Sequence, residues 1–141
     1  MAQIRVVVAD DDESIRTVLS EVMRSDPRFE VAGEAADGVE LLEVVSRTEA
    51  DVVLLDVRMP SGGEVAARAL QEGPPVVVVA VSAETSPDTV AALLRAGVRG
   101  YLGKGRLGPD LPDLVSRCLA GEVIVAVPTA AEAIRHLADG R

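Results

Sequence analysis

The chain has 141 residues, with 23 acidic side chains against 14 basic ones and a formal net charge of −9. That length suits one domain able to bury a core without disulfides or metals, and a 48% apolar composition sets it apart from a disordered acidic tail. The acidic balance and the presence of only two aromatic residues, Phe29 and Tyr101, argue against direct nucleic-acid binding, which needs positive patches and stacking platforms.

Ile4–Ala9 is a Val-rich run without polar alternation, the pattern of a strand buried on both faces of a parallel sheet. Ile15, Val18, Leu19 and Val22 then fall at i, i+3, i+4 and i+7, one face of a helix. Phe29–Ala32 is the second predicted strand, and Asp37 caps a helix carried by Val39, Leu42 and Val45. Asp51–Leu55 is the third strand, followed by a short helix over Gly62–Glu72. Pro75–Val81 is the fourth. Ser86 and Pro87 then open a helix with Val90, Leu93 and Leu94, and Gly97 stops it. Val98–Leu102 is the fifth strand, and Asp110 opens a helix with Leu111, Leu114, Val115 and Cys118 in full period. After Gly121 the rhythm breaks at Pro128, and Thr129–Ala138 is predicted as a short extra helix that places His136 on the surface. Strand and helix repeated five times imply a parallel α/β sheet covered on both faces. The lone cysteine, Cys118, cannot form an internal disulfide and fits a reducing, cytoplasmic setting. No apolar run reaches the roughly 20 residues of a membrane span, and the N-terminus turns charged at Arg5, unlike a signal peptide.

In such a fold, sites form beyond the carboxyl ends of the strands. The first strand runs into Asp10, Asp11 and Asp12, the third ends at Asp56, the fourth at Ser82, and the fifth leads to Lys104, the one lysine of the chain. Converging carboxylates call for a cation, and hard oxygen ligands suit Mg²⁺. Asp56 beside that ion is a candidate oxygen nucleophile toward phosphorus, with Lys104 as a compact positive charge for a carboxylate or phosphoryl oxygen. Each feature has a plain alternative: Asp10–Asp12 as a helix cap, the residues after Asp56 as a turn, Ser82 as a loop serine, Tyr101 as core. The joint placement of four suitable groups at four strand ends favours a site.

The stretches Val6–Asp11, Asp51–Pro60, Val81–Ala83 and Ala96–Lys104 together resemble the receiver domain of two-component response regulators, in order and spacing, over roughly residues 3–121. The resemblance implies a doubly wound, flavodoxin-like, five-stranded sheet of order 2-1-3-4-5. It implies a receiver domain over residues 1–121, with 122–141 a linker and short helix of the kind that precedes a helix-turn-helix output domain. It also implies the roles of the site residues. Asp56 would accept a phosphoryl group from a histidine kinase, with Mg²⁺ held by Asp10, Asp11, Asp56 and the Arg58 backbone carbonyl. Ser82 and Lys104 would bind the phosphoryl oxygens. Tyr101 would turn inward with Ser82, and Arg58 paired with Glu84 would tune dephosphorylation. The acidic pair is Asp10 and Asp11, or Asp11 and Asp12 if the register slips by one. Phosphorylation is expected to re-bias the face made by the fourth helix, fifth strand and fifth helix, a candidate homodimer surface, for a transcriptional output; DNA would be met only through a domain outside this chain. A stand-alone receiver acting by protein contact is the alternative. An aspartate-nucleophile phosphohydrolase is disfavoured, because the acid/base Asp it needs two residues after Asp56 is Arg58. No enzymatic activity is expected beyond self-catalysed phosphorylation and dephosphorylation. Ser61–Glu64 is shorter than the loop this family usually carries, and Gly105 replaces a common Pro or Asp.

Overall fold

A computed structural model describes residues 2–106 and 108–140. β1 (Ile4–Ala9), β3 (Val52–Leu55) and β4 (Val77–Ser82) form the centre of a parallel sheet, flanked by β2 (Phe29–Ala35) on one side and β5 (Gly100–Gly103) on the other. Alternation along each strand divides the core. Val7, Ala9, Val53, Leu55, Val78 and Ala80 face one layer; Val6, Val8, Val52, Leu54, Val79 and Val81 face the other. Both faces are apolar because both are covered. α1 (Glu13–Arg24) and α5 (Leu111–Leu119) cover one face, and α2 (Gly38–Thr48), α3 (Gly63–Gln71) and α4 (Pro87–Arg95) the other. This is the flavodoxin-like α/β arrangement.

The expected strand order is present, but the sheet has six strands rather than five: β6 (Ile124–Ala126) pairs in parallel with β5. Ile124, Val125 and Ala126 take up hydrogen-bonding groups that a terminal β5 would leave open. α6 (Ala130–Ala138) then packs on α4 and buries Ala133 completely. One flank of α4 and the edge of β5, parts of the expected output face, are therefore covered by the same chain. His136, expected on the surface, is partly covered, its Nδ1 2.8 Å from Asp88 Oδ1.

Caps set the strand-to-helix turns. Asp12 accepts from the N–H groups of Ser14 and Ile15 at 2.8 and 3.3 Å, and Asp37 accepts from that of Glu40 at 2.8 Å. Ser86 does not cap α4 with its side chain; its hydroxyl donates to Thr89 Oγ1 instead. Gly97 ends α4 with φ +102°, a conformation other residues adopt only under strain. The short loop after β3 is pinned where Gly38 N–H donates to Pro60 O at 2.8 Å. A Cβ at Gly38 would lie 1.6 Å from Ser61 O, so only glycine permits that approach.

Candidate functional site

β1 and β3 are neighbours in register, Ala9 opposite Leu55, so their next residues, Asp10 and Asp56, leave the sheet side by side. Asp56 N–H donates to Ala9 O at 2.9 Å, and Asp10 N–H donates to Ala35 O at 3.0 Å, which fixes both backbones. Asp10 is fully buried and Asp56 is 3% exposed, whereas Asp11 reaches solvent. Carboxylate oxygens of all three lie within 4.8 Å of one another. Asp12 stays outside this group as the cap of α1.

Lys104 opens a short 3-10 turn after β5 and extends its ammonium between the acids. Its Nζ is 3.0 Å from Asp10 Oδ2 and 3.7 Å from Asp56 Oδ2. The tighter partner is thus Asp10. Asp10 Oδ1 accepts from Asp12 N–H at 2.9 Å and Asp56 Oδ1 from Arg58 N–H at 3.2 Å. Burial, foremost, raises the Asp56 carboxyl above the usual range, and the Asp10 charge adds to this; the Arg58 N–H and Lys104 oppose it. Burial pulls the Lys104 ammonium down, but its ion pair with Asp10 and the charges of Asp56 and Asp11 outweigh it, so its pKa is raised.

Three carboxylates face one ammonium, and the buried Asp10 Oδ2 has no aligned hydrogen bond despite its proximity to Lys104. A buried carboxylate oxygen beside two further hard oxygen donors fits a small divalent cation such as Mg²⁺.

Ser82, the last residue of β4, is fully buried, and its Oγ accepts from Glu84 N–H at 3.1 Å. Tyr101 also has no exposed surface; its hydroxyl donates to the Glu84 carbonyl. Its ring faces inward in this structure. Burial pushes its phenol up to about 12, against a smaller pull from the Ser82 hydroxyl. The expected Arg58–Glu84 pair is not among the ion pairs of the described residues. Glu84 Oε1 instead accepts from Ser86 N–H at 2.9 Å at the start of α4.

Two side chains make contacts that the sequence did not assign them. Arg16 donates from Nη1 to Asp10 O at 2.8 Å and from Nε to Glu34 Oε1 at 3.2 Å, anchoring the acidic turn. Thr129, before α6, donates to the Thr85 carbonyl in the loop after Ser82. Its only sequence signal was a hydroxyl residue at a helix start.

Residues 6–116 match the response regulator receiver domain family. The chain is 42% identical over 113 residues to protein-glutamate methylesterase/protein-glutamine glutaminase 4 of Myxococcus xanthus, covering 78% of this chain and 32% of that protein. It is 34% identical over 134 residues to the uncharacterized transcriptional regulatory protein YxjL of Bacillus subtilis, covering 94% of this chain and 62% of that one. The chain thus spans between about a third and three-fifths of these relatives. Among solved structures, the signal receiver domain of the response regulator NarL from Mycobacterium tuberculosis superposes with a TM-score of 0.82 at 32% identity, over 86% of this chain and all of that one. No helix among the described residues is long and apolar enough to cross a membrane. With its strand order, its acidic cluster and this match over most of its length, the chain belongs to the response regulator receiver domain family.

Proposed function

We propose that this receiver is a phosphorylation switch in which Asp56 takes a phosphoryl group from a histidine kinase. The observation that carries the reading is one ammonium, Lys104 Nζ, within 4 Å of both Asp10 and Asp56 at the mouth of a three-carboxylate cluster. A carboxylate oxygen of Asp56 forms the new O–P bond as the P–N bond of the donor phosphohistidine breaks, and the electron pair stays with the imidazole nitrogen. Asp10, Asp11, Asp56 and the Arg58 carbonyl are the residues that would hold Mg²⁺. When bound, the ion neutralises charge developing on the phosphoryl oxygens. Lys104, already between the acids, pairs with one of those oxygens. Ser82 uses its Oγ as an acceptor from Glu84, which leaves its proton to donate to another. Arg58 and Glu84, two residues past Asp56 and Ser82, would set how readily water returns phosphate.

The added group carries nearly two negative charges and three acceptor oxygens, enough to bias two states a few kcal/mol apart. The loop after Ser82 and the α4–β5–α5 face would transmit the change, with Tyr101 as its inward prop. A homodimer through that face would have to displace β6 and α6. Residues 1–121 would serve as the receiver, and 122–141 as the link to an output domain. A transcriptional output is supported by the likeness to the Bacillus subtilis regulatory protein along 94% of this chain. A methylesterase output is the second reading, favoured by the 42% identity to the Myxococcus xanthus protein. In either case, the receiver itself would be a phosphoacceptor working in the cytoplasm beside its kinase.

Incubation with Mg²⁺ and a small phosphodonor should add one phosphoryl group, seen by intact-mass measurement, and Asp56→Asn should add none. Equal labelling of Asp56→Asn would sink the assignment.

A further inference from the structure

The loop joining β4 to α4 is fastened at successive residues. Ser82 Oγ holds Glu84 N–H, the Glu84 carbonyl is held by the Tyr101 hydroxyl, and the Thr85 carbonyl is held by the Thr129 hydroxyl. The last of these bonds comes from the tail, 44 residues along the chain. Thr129 stands at the N-cap position of α6, yet its side chain accepts none of that helix's own N–H groups. Its hydroxyl serves the loop instead.

The tail is itself firmly seated. β6 is paired residue by residue with β5, Ala133 is buried against α4, and Arg95 Nη2 donates to His136 O at 2.8 Å. Thr129 therefore acts from a fixed base. Ser82, Thr85 and Lys104 share the walls of one groove of about 610 Å³ with Ala126, Val127 and Pro128, so the tail and the site meet on a common surface.

We infer that Thr129 is a positioning residue for the phosphoryl site: through Thr85 it holds the loop after Ser82, whose Glu84 N–H is bonded to the Ser82 hydroxyl oxygen. The inference rests on the reading of Asp56 as phosphoacceptor. A supporting hydrogen bond of this kind limits how far a binding group strays from its productive position. The tail thereby completes the site as well as covering α4. Because coupling is reciprocal, a group bound at Asp56 also steadies the tail.

The test uses the full chain and beryllium trifluoride with Mg²⁺ as a stable stand-in for the phosphoryl group, bound fluoride being followed by fluorine NMR. Thr129→Val keeps the shape and removes the donor, and should weaken fluoride binding by about threefold to tenfold, the worth of one net hydrogen bond. Thr129→Ser should restore it. Affinity for Mg²⁺ alone should not change, since the acids stand on β1 and β3. In a Ser82→Ala background, Thr129→Val should add nothing. With no variant at all, fluoride should slow amide exchange across residues 124–138 of the parent chain. Unaltered binding by Thr129→Val, an equal loss for Mg²⁺ alone, full additivity with Ser82→Ala, or unaltered tail exchange would each overturn the inference. If the parent neither binds the fluoride nor labels at Asp56, the phosphoacceptor reading falls and takes this inference with it. If the parent binds and Thr129→Val binds as well, only the inference falls.

Discussion

The acids and the loop that meet at the site are held by different kinds of structure. Asp10 and Asp56 are the next residues after β1 and β3, whose Val6–Ala9 and Val52–Leu55 have no exposed surface. Moving either carboxylate means disturbing close packing on both faces of the sheet. The loop after Ser82, by contrast, is tied down by hydrogen bonds to the single backbone carbonyls of Glu84 and Thr85, from Tyr101 and Thr129. Each such bond contributes about 1 kcal/mol net and is exchanged far more easily than a packed strand. The contrast suits a switch, in which the reacting group stays put and its surroundings respond.

The strongest way to break that comparison is at the acids. Chelating Mg²⁺, or Asp11→Asn, should reduce phosphodonor labelling by about 100-fold or more, measured as the initial rate of phosphoryl uptake, since charge neutralisation on the phosphoryl oxygens is worth several kcal/mol. Undiminished labelling in chelator would separate the acidic cluster from the chemistry. Next comes the support beneath them. Leu54→Ala should cost about 2–5 kcal/mol in urea unfolding, because it opens a cavity in a closed layer. Val123→Ala, at a side chain 61% exposed, should change stability by less than about 0.5 kcal/mol.

Lys104→Arg sharpens the contrast at the point where the halves touch. A planar fork does not replace a compact ammonium 3.0 Å from Asp10 and 3.7 Å from Asp56. Labelling should persist, while affinity for beryllium trifluoride should fall about tenfold, roughly 1.4 kcal/mol; equal affinity would show that charge alone matters there. A smaller effect is expected at the loop. Tyr101→Phe should cost about 1 kcal/mol of stability by freeing the Glu84 carbonyl. As the chain has one tyrosine, its phenolate absorbance should titrate near 12 in the native protein and near 10 in denaturant. The folded pKa is raised, so the stability tied to the neutral phenol is complete below about pH 10 and is lost as pH rises through 12. A native midpoint near 10 would place Tyr101 outside the core.

The chemistry-bearing residues were legible because each is a strand-end residue, and strand ends are marked locally. The Val-rich run before Asp10, the run before Asp56 and the position of the single Lys104 are properties of short stretches, and parallel pairing brings those ends together whatever covers them. Boundaries were less legible. β2 runs on to Ala35 beyond its predicted end at Ala32, because Val7, Val8 and Ala9 pair with Gly33, Glu34 and Ala35 across a register shift. That partner strand is invisible from the segment itself.

The amino-acid sequence by itself determined the α/β alternation, the acids at the strand ends and the family pattern, since hydrophobic period and strand-end placement are encoded within a few residues. Tertiary structure decided the rest. Ile124–Ala126 became a sixth strand only because β5 had an open edge beside it. Glu84 turned to Ser86 rather than Arg58 because the start of α4 offered an N–H at 2.9 Å. Thr129 found Thr85 because β6 and α6 carried it across the sheet. In each case, several partners were chemically suitable, and the selection came from which one the packed fold brought within reach.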